Sequence, residues 1–203
     1  RQPFYGLGGR YVVSKAHFEA LEAYIAAASE LGDNEAYLTD LALWAGFYAF
    51  GKADLLVNQI NEAYLAGDND KAAAMEVRFK DLMLRADRLL DKNPVTRMQR
   101  WIDFARGWGD SQQESDKYEK DCRRIVTTWG ISYPDAGLND YACKIWSGLI
   151  RDYYIPRWQH FFDAKKADKP FDFAAWEGNF TEEKKLSDFV PVKDLVKESQ
   201  ELV

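Results

Sequence analysis

The sequence predicts an all-α fold, a bundle of about six main helices with an irregular N-terminal segment and a C-terminal tail of short helices. Apolar residues recur at three- and four-residue steps over most of the chain, which is the period of a helix that buries one face. No segment of the sequence alternates apolar and polar residues as a half-buried strand does. Helix-start signals separate the periodic segments, at Ser14, Asn34, Asp68, Pro94 and Ser111.

The first two helices are predicted over residues 14–32 and 34–66, after an irregular, glycine-rich segment at residues 1–13. The second helix contains Gly46 and Gly51. Glycine costs a helix interior about 1 kcal/mol relative to alanine. The two glycines therefore indicate close packing or a kink.

Three more helices follow in the middle of the chain, each begun by a capping signal. The third is predicted after the turn at residues 67–70 and reaches Leu90. The fourth is predicted to start at Pro94, which occupies a first-turn position where its missing N–H is harmless. The fifth is predicted to be capped by Asp110 or Ser111 and to continue to Trp129.

A sixth helix is predicted to begin near Asn139 and to carry apolar residues as far as Tyr153. Pro156 lies inside this pattern and is expected to kink or break the helix after Ile155, because it removes a backbone hydrogen bond. Domain organisation follows from these elements. Residues 1–203 are predicted to form one all-helical domain, with residues 1–13 as an irregular entry, 14–168 as its main bundle and 169–203 as a peripheral tail.

Composition excludes several classes of function. The chain has 203 residues and a net charge of −6, which argues against nucleic acid as a partner because phosphate binding needs a basic surface. No apolar run approaches the roughly 20 residues of a membrane span. His17 and His160 stand outside any recognisable metal or nucleophile motif, so neither a metal nor a cofactor is expected. Cys122 and Cys143 form no CxxC motif, and the sequence leaves open whether they form a disulfide.

One loop stands out as a candidate binding site. The helical pattern stops at Gly130 and restarts after a loop. The loop and its edges present Trp129, Leu138 and Tyr141. Loops on a rigid framework often carry binding groups. The alternative is that these side chains pack beneath the loop, which is the commoner fate of aromatic residues at helical spacing. The residues alone favour packing.

Charged residues near this loop have structural interpretations. Four acids, Glu114, Asp116, Glu119 and Asp121, lie among lysines and are expected to form a solvated helix face. No two carboxylates are marked as the partners that cleave a glycosidic bond, so no catalytic residue is predicted. Asp140 is interpreted as a first-turn helix acid.

The predicted helix that follows the loop carries three further residues of interest. One has two possible roles, and the other two are expected to be structural. Arg157 either clamps an acidic ligand or forms a buried ion pair that holds the kinked helix. His160 and Tyr153 are expected in the core.

A longer ordered motif surrounds the candidate loop. It consists of Thr128-Trp129-Gly130, then Leu138-Asn139-Asp140-Tyr141-Ala142, then Lys144-x-Trp146-Ser147-Gly148-Leu149-Ile150-x-Asp152-Tyr153-Tyr154-x-Pro156-Arg157-Trp158. A weaker match lies at Arg100-Trp101-Ile102-x-x-Ala105-Arg106-x-Trp108-Gly109. With these residues the sequence resembles the C-terminal helical domain of α-N-acetylglucosaminidases, which form glycoside hydrolase family 89.

The resemblance implies a retaining exo-enzyme that removes terminal α-linked N-acetylglucosamine, with both catalytic glutamates in a barrel domain outside this chain. This segment would be inactive alone and would contribute substrate-binding residues, which the resemblance places at Trp129, Leu138 and Tyr141. It also implies a secreted, periplasmic or lysosomal location. Its partners would be the barrel of the same polypeptide and the glycan. The alternative is a free-standing carbohydrate-binding or protein-interaction module.

Overall fold

The computed structural model describes residues 15–129, 140–182, 186–188 and 190–203, and these residues confirm the all-α prediction. Within them the regular structure is helical, apart from one isolated bridge between Arg97 and Ser147. The helices are α1 (Lys15–Ala26), α2 (Ala28–Leu31), α3 (Glu35–Leu65), α4 (Asn69–Leu90), α5 (Met98–Arg106), α6 (Gln112–Val126), α7 (Ile155–Lys166), α8 (Phe173–Glu182) and α9 (Leu195–Gln200), with a 3₁₀ turn at Pro94–Thr96 and a π-helical turn at Ile150–Tyr154.

The contacts divide the chain into two compact units. The α3–α4 unit comprises the described residues up to Thr96 together with those from 190 to 203, and the α5–α8 unit comprises the described residues from Arg97 to Asp188. The division into one domain with a main bundle and a peripheral tail stays a prediction. Among the described residues, no helix combines the length and the apolar character that a membrane span requires.

The α3–α4 unit is built on two long helices with the caps that the sequence predicts. The Asn34 side chain accepts a hydrogen bond from the backbone N–H of Tyr37, and Asp68 accepts one from Lys71. Gly46 lies against Leu90. A Cβ at Gly46 would come within 2.5 Å of the Leu90 Cγ. Close packing, one of the two predicted explanations, is therefore confirmed for this glycine.

The remaining helices of this unit pack on the same apolar core. The core includes Leu21, Ile25, Leu41, Tyr48 and Val192. Arg88 of α4 and Glu198 of α9 form an ion pair of 2.6 Å, so the last helix of the chain is tied to the long pair by charge as well as by burial.

The fourth helix starts later than predicted. Pro94 begins only a 3₁₀ turn, and α5 starts at Met98. The reason is that Arg97 is extended, with φ −98° and ψ 118°, and pairs with Ser147. The Met98 N–H donates to the Ser147 carbonyl oxygen at 2.9 Å, which fixes the chain in this extended link before the helix begins.

The prediction of a helix from Asn139 is also wrong for the described part of that segment. Residues 140–148 form turns and extended chain, and Asn139 itself lies outside the described residues. Asp140, Cys143 and Gly148 have φ values of 59°, 48° and 84°, which a right-handed helix cannot contain. Helical structure resumes with the π turn and continues into α7 without a gap, so the helix changes from π to α at Ile155 and the predicted break after this residue is wrong. Pro156 lies in the first turn of α7.

Candidate functional site

The candidate site begins where α6 ends. The helix stops at Val126, and the Thr127 hydroxyl donates to the Arg123 carbonyl oxygen at 2.7 Å. Thr127 and Thr128 are buried, while Trp129 has φ 61° and is 37% exposed. The backbone thus turns sharply out of the helix and carries the Trp129 ring to the surface.

Trp129 and Tyr141 come together, as two of the three predicted site residues. Their ring centroids are 4.9 Å apart and the ring planes meet at 60°, an edge-to-face arrangement that aromatic pairs favour. Tyr141 is 53% exposed. Leu138, the third predicted residue, lies outside the described residues. The described part of the site is therefore an exposed aromatic pair, and its role in binding stays a prediction.

Asp140 connects the two chain segments of this corner. Its N–H donates to the Thr127 carbonyl oxygen at 2.7 Å, and its own carbonyl oxygen accepts from the Cys143 N–H at 3.0 Å. Asp140 is buried. It is not the first-turn acid of a helix that the sequence suggested, because no helix begins there; it is the fixed point of a left-handed turn.

The Asp140 carboxylate takes part in a buried network with Arg157 at its centre. The Arg157 Nη1 lies 2.7 Å from Asp140 Oδ2, 3.0 Å from the Tyr153 hydroxyl oxygen and 3.0 Å from Glu177 Oε1. The Tyr153 hydroxyl lies 3.2 Å from Asp140 Oδ1. Arg157 is 1% exposed, so the buried ion pair, one of its two predicted interpretations, is confirmed. We call these four residues the Arg157 network.

The charges of the Arg157 network perturb its titratable groups in definite directions. Burial raises the pKa of the Tyr153 hydroxyl well above its usual value; the Arg157 charge opposes the rise, and Asp140 and Glu177 add to it. Burial acts to lower the pKa of Arg157, but Asp140 and the other partners outweigh it and raise that pKa. Arg157 is therefore charged, and Tyr153 is a neutral hydroxyl that donates.

A second charged cluster supports the α6 end of the corner. Glu119 accepts from Arg123 at 3.1 Å on the same helix and from Arg106 of α5 at 2.6 Å. Arg106 also pairs with Asp116 at 2.9 Å. Glu119 and Arg123 are buried. The prediction that the acids of α6 form a solvated face is thus wrong for Glu119, whose burial is compensated by two guanidinium partners.

An apolar groove lies beside the corner in the same unit. Its volume is about 570 Å³, and α5, α6 and the segment after Tyr141 line it. Phe104 and Trp108 are 62% and 70% exposed, and the Trp101 and Trp146 rings stack 5.5 Å apart. The main aromatic and apolar lining residues are Trp101, Phe104, Trp108, Tyr118, Ile125 and Trp146.

The structure also describes Tyr153, His160 and the two cysteines, for which the sequence allowed specific expectations. Tyr153 is buried as predicted, whereas His160 is exposed with its ring centroid 6.5 Å from that of Phe171, so the core prediction for it is wrong. No disulfide joins Cys122 to Cys143, both of which are described. Across the described ranges, no group of three or more His, Cys, Asp or Glu is arranged to hold a metal ion.

Sequence reasoning missed Glu177. It lies on α8, is fully buried, and pairs with Arg157 at 3.0 Å. A signal was present, because Glu177 is a single acid inside the apolar run Phe173-Ala-Ala-Trp-Glu-Gly-Asn-Phe180. An acid on the apolar face of a helix is rarely buried unless it is paired. The unassigned Arg157 was the available partner.

Comparisons with known proteins give the same family as the sequence motif. The family model described as the α-N-acetylglucosaminidase (NAGLU) C-terminal domain matches residues 10–203. Human α-N-acetylglucosaminidase is 29% identical over 148 residues, which are 72% of this chain and 20% of that protein. The chain therefore spans about a fifth of the length of this relative.

Two solved structures from Clostridium perfringens share the fold. A family 89 glycoside hydrolase in complex with PUGNAc is 27% identical with a TM-score of 0.80, over 93% of this chain and 23% of that one. A second structure, in complex with its substrate GlcNAc-alpha-1,4-galactose, gives the same identity, TM-score and coverage. The family match covers nearly the whole sequence and the fold agrees, so this chain belongs to the α-N-acetylglucosaminidase C-terminal domain family.

Proposed function

We propose that this chain is the C-terminal helical domain of a retaining exo-α-N-acetylglucosaminidase and supplies part of the substrate-pocket wall to a catalytic barrel of the same polypeptide. The observation that carries the proposal is the exposed Trp129–Tyr141 pair, held beside a buried charge network in a chain of this family. Leu138 belongs to the proposed wall through the sequence motif. The catalytic glutamates are then supplied by the barrel.

The chemistry of the pair suits a sugar. A pyranose ring presents apolar C–H groups on its faces, and an aromatic ring offers a flat apolar surface with little conformational entropy to lose. The centroids of the Trp129 and Tyr141 rings are already 4.9 Å apart without a ligand, so the proposed wall would need little rearrangement on binding. We propose a glycan that ends in α-linked N-acetylglucosamine as the ligand, the chemical class named for the second Clostridium structure.

The apolar groove supports the proposal of a barrel partner. Exposed aromatic side chains concentrated on one face commonly mark an interaction surface. Phe104, Trp108 and Ile125 are each more than half exposed. Val126 lines the groove three residues before Trp129, and Lys144 lines it three residues after Tyr141. A domain that shares a pocket with the aromatic pair would therefore come within reach of the groove.

The location of the chemistry can be tested by comparing two proteins. The isolated chain and the full-length polypeptide that carries it are assayed on an α-N-acetylglucosaminide. We expect turnover only from the full-length protein, because the catalytic carboxylates lie outside this chain. Robust turnover by the isolated chain would contradict the proposal. An upstream reading frame without a barrel-sized region would favour the free-standing binding or interaction module, and one that starts with a signal peptide would support the proposed secreted, periplasmic or lysosomal location.

The pocket-wall role can be tested with Trp129→Ala in the full-length enzyme. We expect kcat/KM to fall about 10- to 100-fold, since a lost aromatic contact of this kind is worth about 1.4–2.8 kcal/mol. Trp44→Ala is the matched control, because Trp44 is also 37% exposed but belongs to the α3–α4 unit. Unchanged kinetics in Trp129→Ala, or an equal loss in both variants, would count against a pocket wall.

A further inference from the structure

We infer that Asp140 is a positioning residue for the pocket wall: anchored by Arg157, it sets the placement of Trp129 and Tyr141. The inference rests on the proposed pocket-wall function and extends it to a residue that does not touch the ligand. It starts from the exposure of the two rings. More than half of Tyr141 and more than a third of Trp129 are exposed, so both side chains lie at the surface.

Asp140 is the point at which the backbone of the corner is fixed. Its N–H bonds the carbonyl oxygen of Thr127, which lies two residues before Trp129, and its own chain continues directly into Tyr141. One residue therefore links the backbones beneath both rings. Its φ of 59° is costly for most side chains, though aspartate and asparagine tolerate it better than others. Such a conformation persists only when its surroundings hold it.

Arg157 holds the Asp140 carboxylate in place through a buried ion pair. Its Nη1 reaches Asp140 Oδ2 at 2.7 Å, and the Tyr153 hydroxyl reaches Oδ1 at 3.2 Å, so both carboxylate oxygens are engaged. Glu177 pairs with the same guanidinium from α8, and all three partners are buried. Charge-assisted hydrogen bonds in a buried site are short and strongly directional. The corner is thus attached to α7, α8 and the π turn through one carboxylate.

A positioning residue can be distinguished from a merely structural one by its effect on the reaction rate. A misplacement of about 1 Å at a binding group costs about 100-fold in rate when the group orients a substrate. Loosening Asp140 moves Tyr141 and Trp129 together, so its effect on activity vanishes once both rings have been removed. A residue that only stabilises the fold lowers activity by the same factor whether or not the two rings are present.

The test is a mutant cycle on kcat/KM that places Asp140→Asn in the wild-type full-length enzyme and in a variant that carries both Trp129→Ala and Tyr141→Ala. Asparagine keeps the shape and the left-handed preference of Asp140 but removes its charge. We expect Asp140→Asn to lower kcat/KM at least 10-fold in the wild-type background and less than 2-fold in the variant that lacks both rings. Equal factors in the two backgrounds would overturn the inference.

Tyr153→Phe provides a milder second variant, since it removes only the hydroxyl that donates to Asp140 Oδ1. We expect it to lower kcat/KM about 3- to 10-fold with the same dependence on the two rings, and it decides the matter if Asp140→Asn does not fold. Gly46→Ala is a control for lowered stability, because Gly46 belongs to the α3–α4 unit; its kcat/KM should be unchanged while its Tm falls.

The outcomes separate the inference from the function on which it rests. An unchanged kcat/KM in both Tyr141→Ala and Trp129→Ala would remove the pocket wall and the positioning role together. A loss in those two variants with none in Asp140→Asn or Tyr153→Phe would keep the pocket wall and overturn the positioning role alone.

Discussion

The two units of this chain are held by different interactions. The α3–α4 unit rests on long helices with small residues between them, so that Gly46 takes the Leu90 side chain at a distance where a Cβ would clash. The α5–α8 unit has shorter helices and buries two arginines, Arg123 and Arg157, each paired with a buried glutamate. The α3–α4 unit also buries carboxylates, among them Asp54 and Asp87. Among the described residues, non-glycine positions with positive φ occur only in the α5–α8 unit, at Trp129, Asp140, Cys143 and Asp168.

This difference also sets the candidate site apart from the rest of the described chain. Apolar interdigitation gives stability without strain, and it asks for no special backbone conformation. Burying charges and placing non-glycine residues in the left-handed region both cost free energy. Such features persist only where the contacts around them hold them in place. Three of the four left-handed residues, Trp129, Asp140 and Cys143, belong to the corner that presents the aromatic pair. The described non-glycine residues with a left-handed backbone are therefore concentrated at the candidate site.

The largest expected effect comes from breaking the buried charge network. Arg157→Ala should lower the free energy of unfolding by about 3–5 kcal/mol, because it leaves Asp140 and Glu177 as buried, uncompensated carboxylates. Lys52→Ala in the other unit should cost much less, since its pair with Glu22 at 3.4 Å is open to solvent. Urea unfolding of both variants measures the contrast. Similar losses in the two variants would mean that the units do not differ in this way.

The next effect separates backbone strain from packing. Gly148→Ala and Gly46→Ala should each cost about 1–3 kcal/mol. At Gly148 the cause is a φ of 84°, and at Gly46 it is contact with Leu90. Trimming Leu90 to Ala should therefore be less costly beside Gly46→Ala than alone, whereas trimming Leu186, which lies 3.0 Å from a Gly148 Cβ, should not rescue Gly148→Ala.

The measurement for these glycine variants is Tm together with urea midpoints for the four single and two double variants. Rescue at both sites would show that Gly148 is also a packing position.

A smaller effect concerns alkaline pH. The folded-state pKa of Tyr153 is raised by burial above its unfolded value of about 10, so its contribution to stability is complete below pH 10 and is lost as the pH rises further. The expected loss is about 1.4 kcal/mol at pH 11. Tyr153→Phe should remove this part of the pH dependence between pH 10 and 11, while stability between pH 7 and 9 stays flat with respect to this group.

Tyr48 offers the same comparison in the α3–α4 unit. Burial, with the Glu22 carboxylate as a further cause, also raises the pKa of its hydroxyl. Tyr48→Phe should therefore remove the part of the alkaline loss of stability that is due to Tyr48. The part that is due to Tyr153 should remain. A slope above pH 10 that survives in the double variant would come from other groups.

The smallest effect is expected in the groove. Trp108→Ser should change the stability of the isolated chain by no more than about 0.5 kcal/mol, because the side chain is 70% exposed. In the full-length enzyme the same change should lower Tm measurably if the groove meets the barrel. A large loss in the isolated chain would show that Trp108 belongs to the core.

Local features of the fold were predictable from the sequence, and features fixed by tertiary contact were not. The N-caps at Asn34, Asp68 and Ser111 depend on neighbours three residues away, and all three are confirmed. The delayed start of α5 depends on Ser147, about fifty residues further along the chain, and no local rule contains it.

The candidate site divides in the same way. Trp129 and Tyr141 were identifiable from the ordered motif, and the structure brings their rings into contact. Their binding role stays a prediction, and Leu138 lies outside the described residues. Asp140 was assigned to a helix start because aspartate favours that position. It is left-handed instead, and its side-chain partners Arg157 and Tyr153 approach it only in the folded chain.

The π turn at Ile150–Tyr154 acts as a spacer of fixed length. The Ile155 N–H bonds the Ile150 carbonyl oxygen five residues back, so this turn contains one residue more than an α-helical turn. Removing one residue would restore α-helical pairing and rotate the chain before Ile150 by about 100° relative to α7. Tyr153 and Asp140 could not then both meet Arg157. The geometry of the corner therefore depends on the number of residues in this turn as well as on their identity.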